Sequence, residues 1–270
     1  MTNSGAPAPG SSAIVTGGTK GIGRATAEAL LAAGCQVFVF GRNPPETPVS
    51  SGGKEAVFIA CDVRDPDQVV RAVDAVGTAC GRIDILVNNA GGAPAADAAT
   101  ASPRFSQAII ALNLLGPLYL SQAAHRWMTQ GGSIVNIASV SAQRPSPGTA
   151  AYGAAKAGLV SLTQSLAQEW GPLIRVNAVI VGLVDTEAAD STYGGAAGRA
   201  EIAASLPLAR MATGADIANA VLFLSSPQAA YVSGARLNVD GGGERPLFLE
   251  IVERQTAASP RSNRNHTKRK

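Results

Sequence analysis

The 270-residue chain has only three cysteines and two histidines, with 4% aromatic and 15% charged residues. Cys35, Cys61 and Cys80 form no C-x-x-C pair. With so few histidines this excludes a structural zinc site or a disulfide framework, and no metal is expected. The thiols fit a reducing compartment, read here as the cytoplasm. His125 and His266 lie far from any serine-nucleophile context, which argues against a Ser-His-Asp hydrolase. No uninterrupted apolar run reaches the ~18 residues of a membrane span. The first twelve residues, MTNSGAPAPGSS, lack a basic start and an apolar run, so they read as a flexible leader rather than a signal peptide.

Charge of either sign is also scarce. Lys plus Arg number 22 against 19 Asp plus Glu, a net charge of +3. Five of the cations (Arg261, Arg264, Lys268, Arg269 and Lys270) lie in residues 255–270, which hold no acid. Residues 1–254 thus carry 17 cations against 19 acids, a net charge of −2. The basic end reads as a solvated, disordered tail, and neither nucleic acid nor a membrane is expected as partner.

What the chain does have is 46% apolar residues in a regular order. Short, nearly continuous apolar runs at 13–16, 37–40, 56–60, 83–87, 133–138, 175–181 and 236–239 predict seven buried strands. Between them, helical spacing predicts helices over 22–33, with Gly34 at its end, and over 65–79, with Asp65 as N-cap and Pro66 at the first position. Further helices are expected over 102–129, interrupted near Pro117, over 150–170 and over 214–224. This alternation predicts one α/β domain over 13–254, a doubly wound parallel sheet with helices on both faces. Residues 187–207, rich in Ala and Gly with little periodicity, read as a mobile lid.

After the first strand comes Thr16-Gly17-Gly18-Thr19-Lys20-Gly21-Ile22-Gly23, entering a helix. A glycine turn lets backbone N–H groups approach a pyrophosphate, and a helix N-terminus favours the anion. The plain alternative is a tight strand–helix turn without ligand. An NAD site places an acid near the end of the second strand. Here the strand ends Phe40-Gly41-Arg42-Asn43. Arg42 can pair a ribose 2′-phosphate, with Lys20 as a second charge, and this favours NADP(H) over NAD(H). Otherwise both are solvated surface cations.

Tyr152 and Lys156 lie four apart on the long predicted helix and share a face. Ser139 follows the fifth strand, and Asn113 lies in an earlier helix. Such a set can move a proton at a carbonyl oxygen: a lysine ammonium beside a phenol lowers its pKa, and a serine hydroxyl holds the substrate oxygen. Taken singly, the pair is an ordinary helix-surface contact and Ser139 an ordinary cap.

Together these motifs resemble the short-chain dehydrogenase/reductase family over residues 11–245. They are Thr16-Gly17…Gly21-Ile22-Gly23, Asp62-Val63, Asn88-Asn89-Ala90-Gly91, Asn113, Ser139, Tyr152-x-x-x-Lys156, Arg175-Val176-Asn177-Ala178-Val179 and Gly182-x-x-x-Thr186. The resemblance implies a Rossmann-like fold and an NAD(P)-dependent oxidoreductase moving a hydride between nicotinamide and a ketone or secondary alcohol. It makes Tyr152 the general acid or base, Lys156 the ribose ligand that lowers the tyrosine pKa, and Ser139 the group that orients the carbonyl. Asn113 holds a water on the proton path. The resemblance also implies that Gly17, Thr19, Lys20, Gly21, Ile22 and Gly23 bind the dinucleotide. Asp62 and Val63 lie by the adenine, Asn89, Ala90 and Gly91 line the cofactor, and Gly182, Val184 and Thr186 approach its carboxamide and phosphates. A homotetramer or homodimer is implied as well. Narrower readings are a 3-oxoacyl thioester reductase, a hydroxysteroid dehydrogenase or a non-catalytic dinucleotide-binding protein. One departure stands out: Val181-Gly182 occupies the place of the family's Pro-Gly, which leaves the stiffness of that loop open.

Overall fold

The computed structural model describes residues 6–187 and 189–258. In chain order the first half runs β1 (Ser12–Thr16), α1 (Gly21–Ala32), β2 (Gln36–Gly41), the two-residue strands β3 (Ser50–Ser51) and β4 (Lys54–Glu55), β5 (Val57–Ala60), α2 (Pro66–Cys80) and β6 (Ile85–Asn88). Then come α3 (Pro103–Ile110), a π-helical turn at Ala111–Leu115, α4 (Gly116–His125), β7 (Gly132–Ile137), α5 (Ala150–Glu169) and β8 (Ile174–Val181). The chain continues with α6 (Ala189–Tyr193), α7 (Gly195–Ser205), α8 (Gly214–Ser225), β9 (Arg236–Val239) and α9 (Leu247–Ala258).

Seven strands form one parallel sheet in the order β5-β2-β1-β6-β7-β8-β9. Chain order reverses between β1 and β6, so a crevice opens at their carboxyl ends, where such sheets bind ligands. Alternation along β1 explains the two cores. Ala13 and Val15 face one side with Leu30 of α1 and Val221 of α8, while Ile14 faces the other with Val73 of α2 and Leu120 of α4. All seven sheet strands were expected; the small β3–β4 hairpin was not, because two-residue strands carry no apolar period.

Expectations at the two ends of the domain need correction. Residues 6–12 are not a loose leader: Pro7 is buried, Gly10 N–H donates to the Gly34 carbonyl, and Ser12 starts β1 by bonding Arg82 and Asp84. Residues 1–5 lie outside the described residues. The break in the 102–129 helix falls before Pro117, as a π turn: Pro117 has no N–H for the Asn113 carbonyl, and Gly116 N–H bonds the Ala111 carbonyl instead. Residues 187–207 include two short helices despite their weak period. Arg199 helps fasten them, pairing Asp185 at 2.9 Å and Asp190 at 3.0 Å. The expected tail also starts too early, since 255–258 continue α9; residues 259–270 lie outside the described residues.

Candidate active site

The crevice is built from β1 outward. The Thr16 hydroxyl donates to the Val87 carbonyl and accepts from the N–H groups of Asn89 and Ala90, both at 3.0 Å. Asn89 Nδ2 donates to the Thr16 and Gly17 carbonyls. The glycine loop is thereby pinned to the turn after β6. Its geometry needs glycine: Gly17 and Gly21 take φ of +63° and +54°, and a Cβ on Gly23 would lie 2.2 Å from the Gly17 carbonyl oxygen.

A cleft of about 900 Å³ runs from this loop along the ends of β2, β5 and β6. It is lined by Gly17, Thr19, Lys20, Arg42, Asp62, Val63, Ala90 and Gly91, all expected from the sequence. The glycine cradle and the cleft fit a dinucleotide. Four cations border the cleft. Arg24 is taken by Glu28 and the Thr47 and Pro48 carbonyls, and Arg64 grips both oxygens of Asp62, holding that carboxyl below its ordinary range. Lys20 and Arg42 are exposed and make no ion pair among the described residues. Asp62 thus meets the cleft as half of an ion pair rather than as a free acceptor. The sequence did not single out Glu187, whose Oε1 accepts from Gly21 N–H at 3.4 Å at the start of α1.

At the far end stands the Tyr152 group. Gly153 lets α5 approach the Ser139 turn, since a Cβ there would lie 3.1 Å from the Ser141 carbonyl oxygen. Gly158 does the same against Leu114 of the π turn. These two glycines are therefore spent on packing inside the chain. Ser139 Oγ accepts from Ser141 N–H at 3.2 Å, which leaves its own proton available on the side of Tyr152. Burial pushes the Tyr152 phenol up, the Ser139 bond pulls it down, and nearby Tyr193 raises it again. The protein alone thus holds the phenol above its usual pKa, where a lowered one was expected. Burial is the largest cause, and Lys156 Nζ stands 5.6 Å from the Tyr152 ring centroid. Lys156 is itself buried, which pushes it down to about 8, and Nζ donates to the Ile137 carbonyl at 2.7 Å.

Asn113 is fully buried and joined to Gly92 by two hydrogen bonds, its Oδ1 accepting from Gly92 N–H and its Nδ2 donating to the Gly92 carbonyl, each at 2.9 Å. Its side chain is therefore occupied. Its main-chain carbonyl lacks the helical donor that Pro117 cannot supply. A Cβ on Gly91 would fall 2.7 Å from Asn113 Oδ1 and 3.2 Å from Lys156 Nζ, so the Gly91 turn fits between them. A small recess of about 90 Å³ beside Tyr152 is walled by Pro94, Phe105 and Ile109.

Other expected residues shape the site without lining it. Gly182 must be small because its Cβ would lie 2.7 Å from Asp240 Cα. The Val181 loop is tied down without proline: Gly182 N–H bonds Val239, and Val184 bridges Ala212 through the Ala212–Leu183 and Asp185–Ala212 hydrogen bonds. Thr186 adjoins Gly21. Two further contacts escaped the sequence reading. Tyr193, half-buried, stands near enough to Tyr152 to help raise its phenol. Asn88, Asn136 and Thr163 form a buried chain of hydrogen bonds linking β6, β7 and α5. Asparagine in an apolar strand was the available signal for the second.

Comparison with known proteins agrees with this geometry. A family model described as Enoyl-(Acyl carrier protein) reductase matches residues 17–244. The chain is 38% identical to D-threitol dehydrogenase of Mycolicibacterium smegmatis, covering 86% of this chain and 92% of that protein. It is 36% identical to a peroxisomal 2,4-dienoyl-CoA reductase of Danio rerio, covering 85% and 80%. Among solved structures, ligand-free aldohexose dehydrogenase of Thermoplasma acidophilum superposes with a TM-score of 0.81 at 33% identity, over 87% of this chain and 94% of that one. With the glycine cradle and the parallel sheet in place, these matches make the chain a member of the short-chain dehydrogenase/reductase family, an oxidoreductase that uses a nicotinamide dinucleotide.

Proposed function

We propose that this enzyme interconverts a ketone and a secondary alcohol with NADP(H), using Tyr152 as the proton donor and acceptor. The observation that carries the reading is the buried Lys156, its Nζ 5.6 Å from the ring centroid of Tyr152, which lines the apolar recess beside the dinucleotide cleft. When bound, the nicotinamide supplies or takes the hydride. The chain does the rest. Ser139 and Tyr152 hydroxyls both donate to the substrate carbonyl oxygen, and Tyr152 passes its proton to that oxygen as negative charge grows on it. The Lys156 ammonium stabilises the resulting phenolate. The Asn113 main-chain carbonyl, rather than its engaged side chain, would hold the water that carries the proton between Lys156 and solvent.

Lys20 and Arg42 are the groups that take a 2′-phosphate, because the two other cations of that end are already paired. A purely binding role has less support, since all four expected polar groups stand in one place. The cytoplasm suits its thiols, since burial pushes Cys35 and Cys61 up to about 11 and keeps them unreactive there. We also propose self-association, as a homodimer or homotetramer. Among the described residues no helix is long and apolar enough to cross a membrane.

The test is NADPH oxidation against a panel of diketones, 3-oxoacyl thioesters, ketosteroids and keto sugars. Turnover with a carbonyl compound that Tyr152→Phe abolishes supports the reading. Unchanged turnover in that variant overturns the role of Tyr152.

A further inference from the structure

The recess beside Tyr152 has walls that are held in place. One wall is the loop 93–101, APAADAATA, which joins β6 to α3. Ala96 N–H donates to the Gly148 carbonyl at 2.8 Å, tying this loop to the turn that enters α5. Helix α3 supplies Phe105 and Ile109. Its start is fixed by Pro103 at the first position and by Ser102, whose Oγ accepts from Phe105 N–H at 3.1 Å. The space is open because Ala93, Ala96, Ala98 and Ala101 line it with single methyl groups.

The recess also offers few polar side chains. Tyr152 is the only ionisable residue among those that line it. Asp97, the one acid of the loop, accepts from Ala99 N–H at 2.7 Å and does not line it. Of the two other hydroxyls, that of Thr149 meets the Ser146 hydroxyl at 2.6 Å, which leaves Ser106. An alkyl group that enters here leaves water at no polar cost. A hydroxylated group loses its water partners and finds almost none in their place. Size sets the length: about 90 Å³ holds about three methylene-sized groups at ~30 Å³ each.

We propose that this recess selects one arm of the substrate, an unbranched alkyl group of about three carbons on the carbonyl carbon, and that Phe105 sets its depth. The carbon skeleton begins one bond from the oxygen that Tyr152 serves. Because Tyr152 lines the recess, one of the two carbonyl substituents lies at its mouth. The proposal rests on the role of Tyr152 given above and adds the substrate class to it.

The test is a series of naphthyl ketones whose second arm runs from methyl to hexyl, with hydroxyethyl and dihydroxypropyl arms beside it. The bicyclic ring is too large for the recess, so only the second arm can enter. The kcat/KM is measured with whichever of NADPH and NADH turns over faster. It should rise about four- to tenfold per carbon up to propyl and fall beyond. A hydroxylated arm should fall about tenfold below the alkyl arm of the same carbon count. Phe105→Ala should move the optimum to longer arms and Ala101→Leu to shorter ones. The optimum is read within each variant, so a loss of folded protein lowers every member alike and leaves its position. Turnover that depends on Tyr152 but has no length optimum, or an optimum that neither variant moves, overturns the recess and leaves the role of Tyr152 standing. Turnover of keto sugars with none of this series does the same. Turnover that survives Tyr152→Phe overturns both.

Discussion

Lys156 Nζ donates to the Ile137 carbonyl across 2.7 Å, fastening α5 to the end of β7 through a buried ammonium. The lysine is thereby held where a neutral side chain would be cheaper. Its pKa falls from 10.5 to about 8, so the folded state binds this proton less readily than the unfolded chain. Below about pH 8 both states carry the charge and the full penalty of about 3 kcal/mol applies; above about 10.5 neither does and the penalty is gone. Stability contributed by this site therefore rises with pH between those values. Against a Lys156→Met reference, the wild-type chain should gain about 3 kcal/mol from pH 8 to pH 10.5 in urea melts. A constant difference across that window would mean that the ammonium is not desolvated.

The Tyr152 phenol, pushed up by burial, is protonated at neutral pH, the form that donates in carbonyl reduction. Alcohol oxidation needs the phenolate. The kcat/KM for oxidation should climb with pH while that for reduction declines on the alkaline side. Tyr152→Phe should lower both by about 10²–10⁴ and flatten both profiles, with dinucleotide affinity retained. A variant whose residual activity keeps the wild-type pH profile would assign the titration to another group.

Arg42 is the residue to alter for cofactor choice. A charge-assisted hydrogen bond contributes about 1.5–3 kcal/mol, so Arg42→Asp should lower kcat/KM with NADPH by about 10–100-fold. The new carboxylate can accept from a ribose 2′-OH, so NADH should improve. The ratio of the two specificity constants is the measurement, and a ratio equal to that of the wild type would remove Arg42 from the phosphate site.

The sheet and the main polar groups were legible because they rest on local signals. Apolar runs mark β1, β6 and β8, and Tyr152 and Lys156 share a face through helical spacing alone. What the sequence hid depends on contacts across the fold. The π turn follows from Pro117 but places its break at Ala111–Leu115, where no residue announces it. The engaged Asn113 side chain depends on Gly92, twenty-one residues away, and the pairing of Asp62 on the turn that brings Arg64 back. Helices α6 and α7 gave little period, since Ala and Gly contrast weakly with one another. Glu187 met Gly21 only once α1 and the loop after β8 were adjacent.

That Glu187 contact sets a carboxylate at the helix N-terminus where a pyrophosphate anion would be favoured. A pyrophosphate bound there would compete with Glu187 for the Gly21 N–H and the positive end of α1. Glu187→Gln keeps the size and removes the charge. It should tighten dinucleotide binding by about two- to fivefold at low ionic strength, and less in salt. Fluorescence titration at two salt concentrations gives the answer. An affinity equal to wild type at both would place Glu187 outside the anion site.

Gly23 carries the tightest of these constraints. A methyl group there would lie 2.2 Å from the Gly17 oxygen and 2.4 Å from Asn89 Nδ2, and both atoms belong to the bonds that pin the loop. The loop can accept alanine only by opening, which breaks the Asn89–Gly17 bond and moves the N–H groups that face the cleft. Overpacking of this kind costs about 1–3 kcal/mol. Gly53 is the control, at φ +75° with nothing within 4 Å of an added Cβ, so Gly53→Ala is strained but touches nothing. Both variants should lose thermal stability, by about 2–4 °C per kcal/mol for a domain of this size. Only Gly23→Ala should also lose dinucleotide binding. If its affinity for the dinucleotide stayed at the wild-type value while its melting temperature fell, the loop would be a fold-stabilising turn and the phosphate cradle would lie elsewhere.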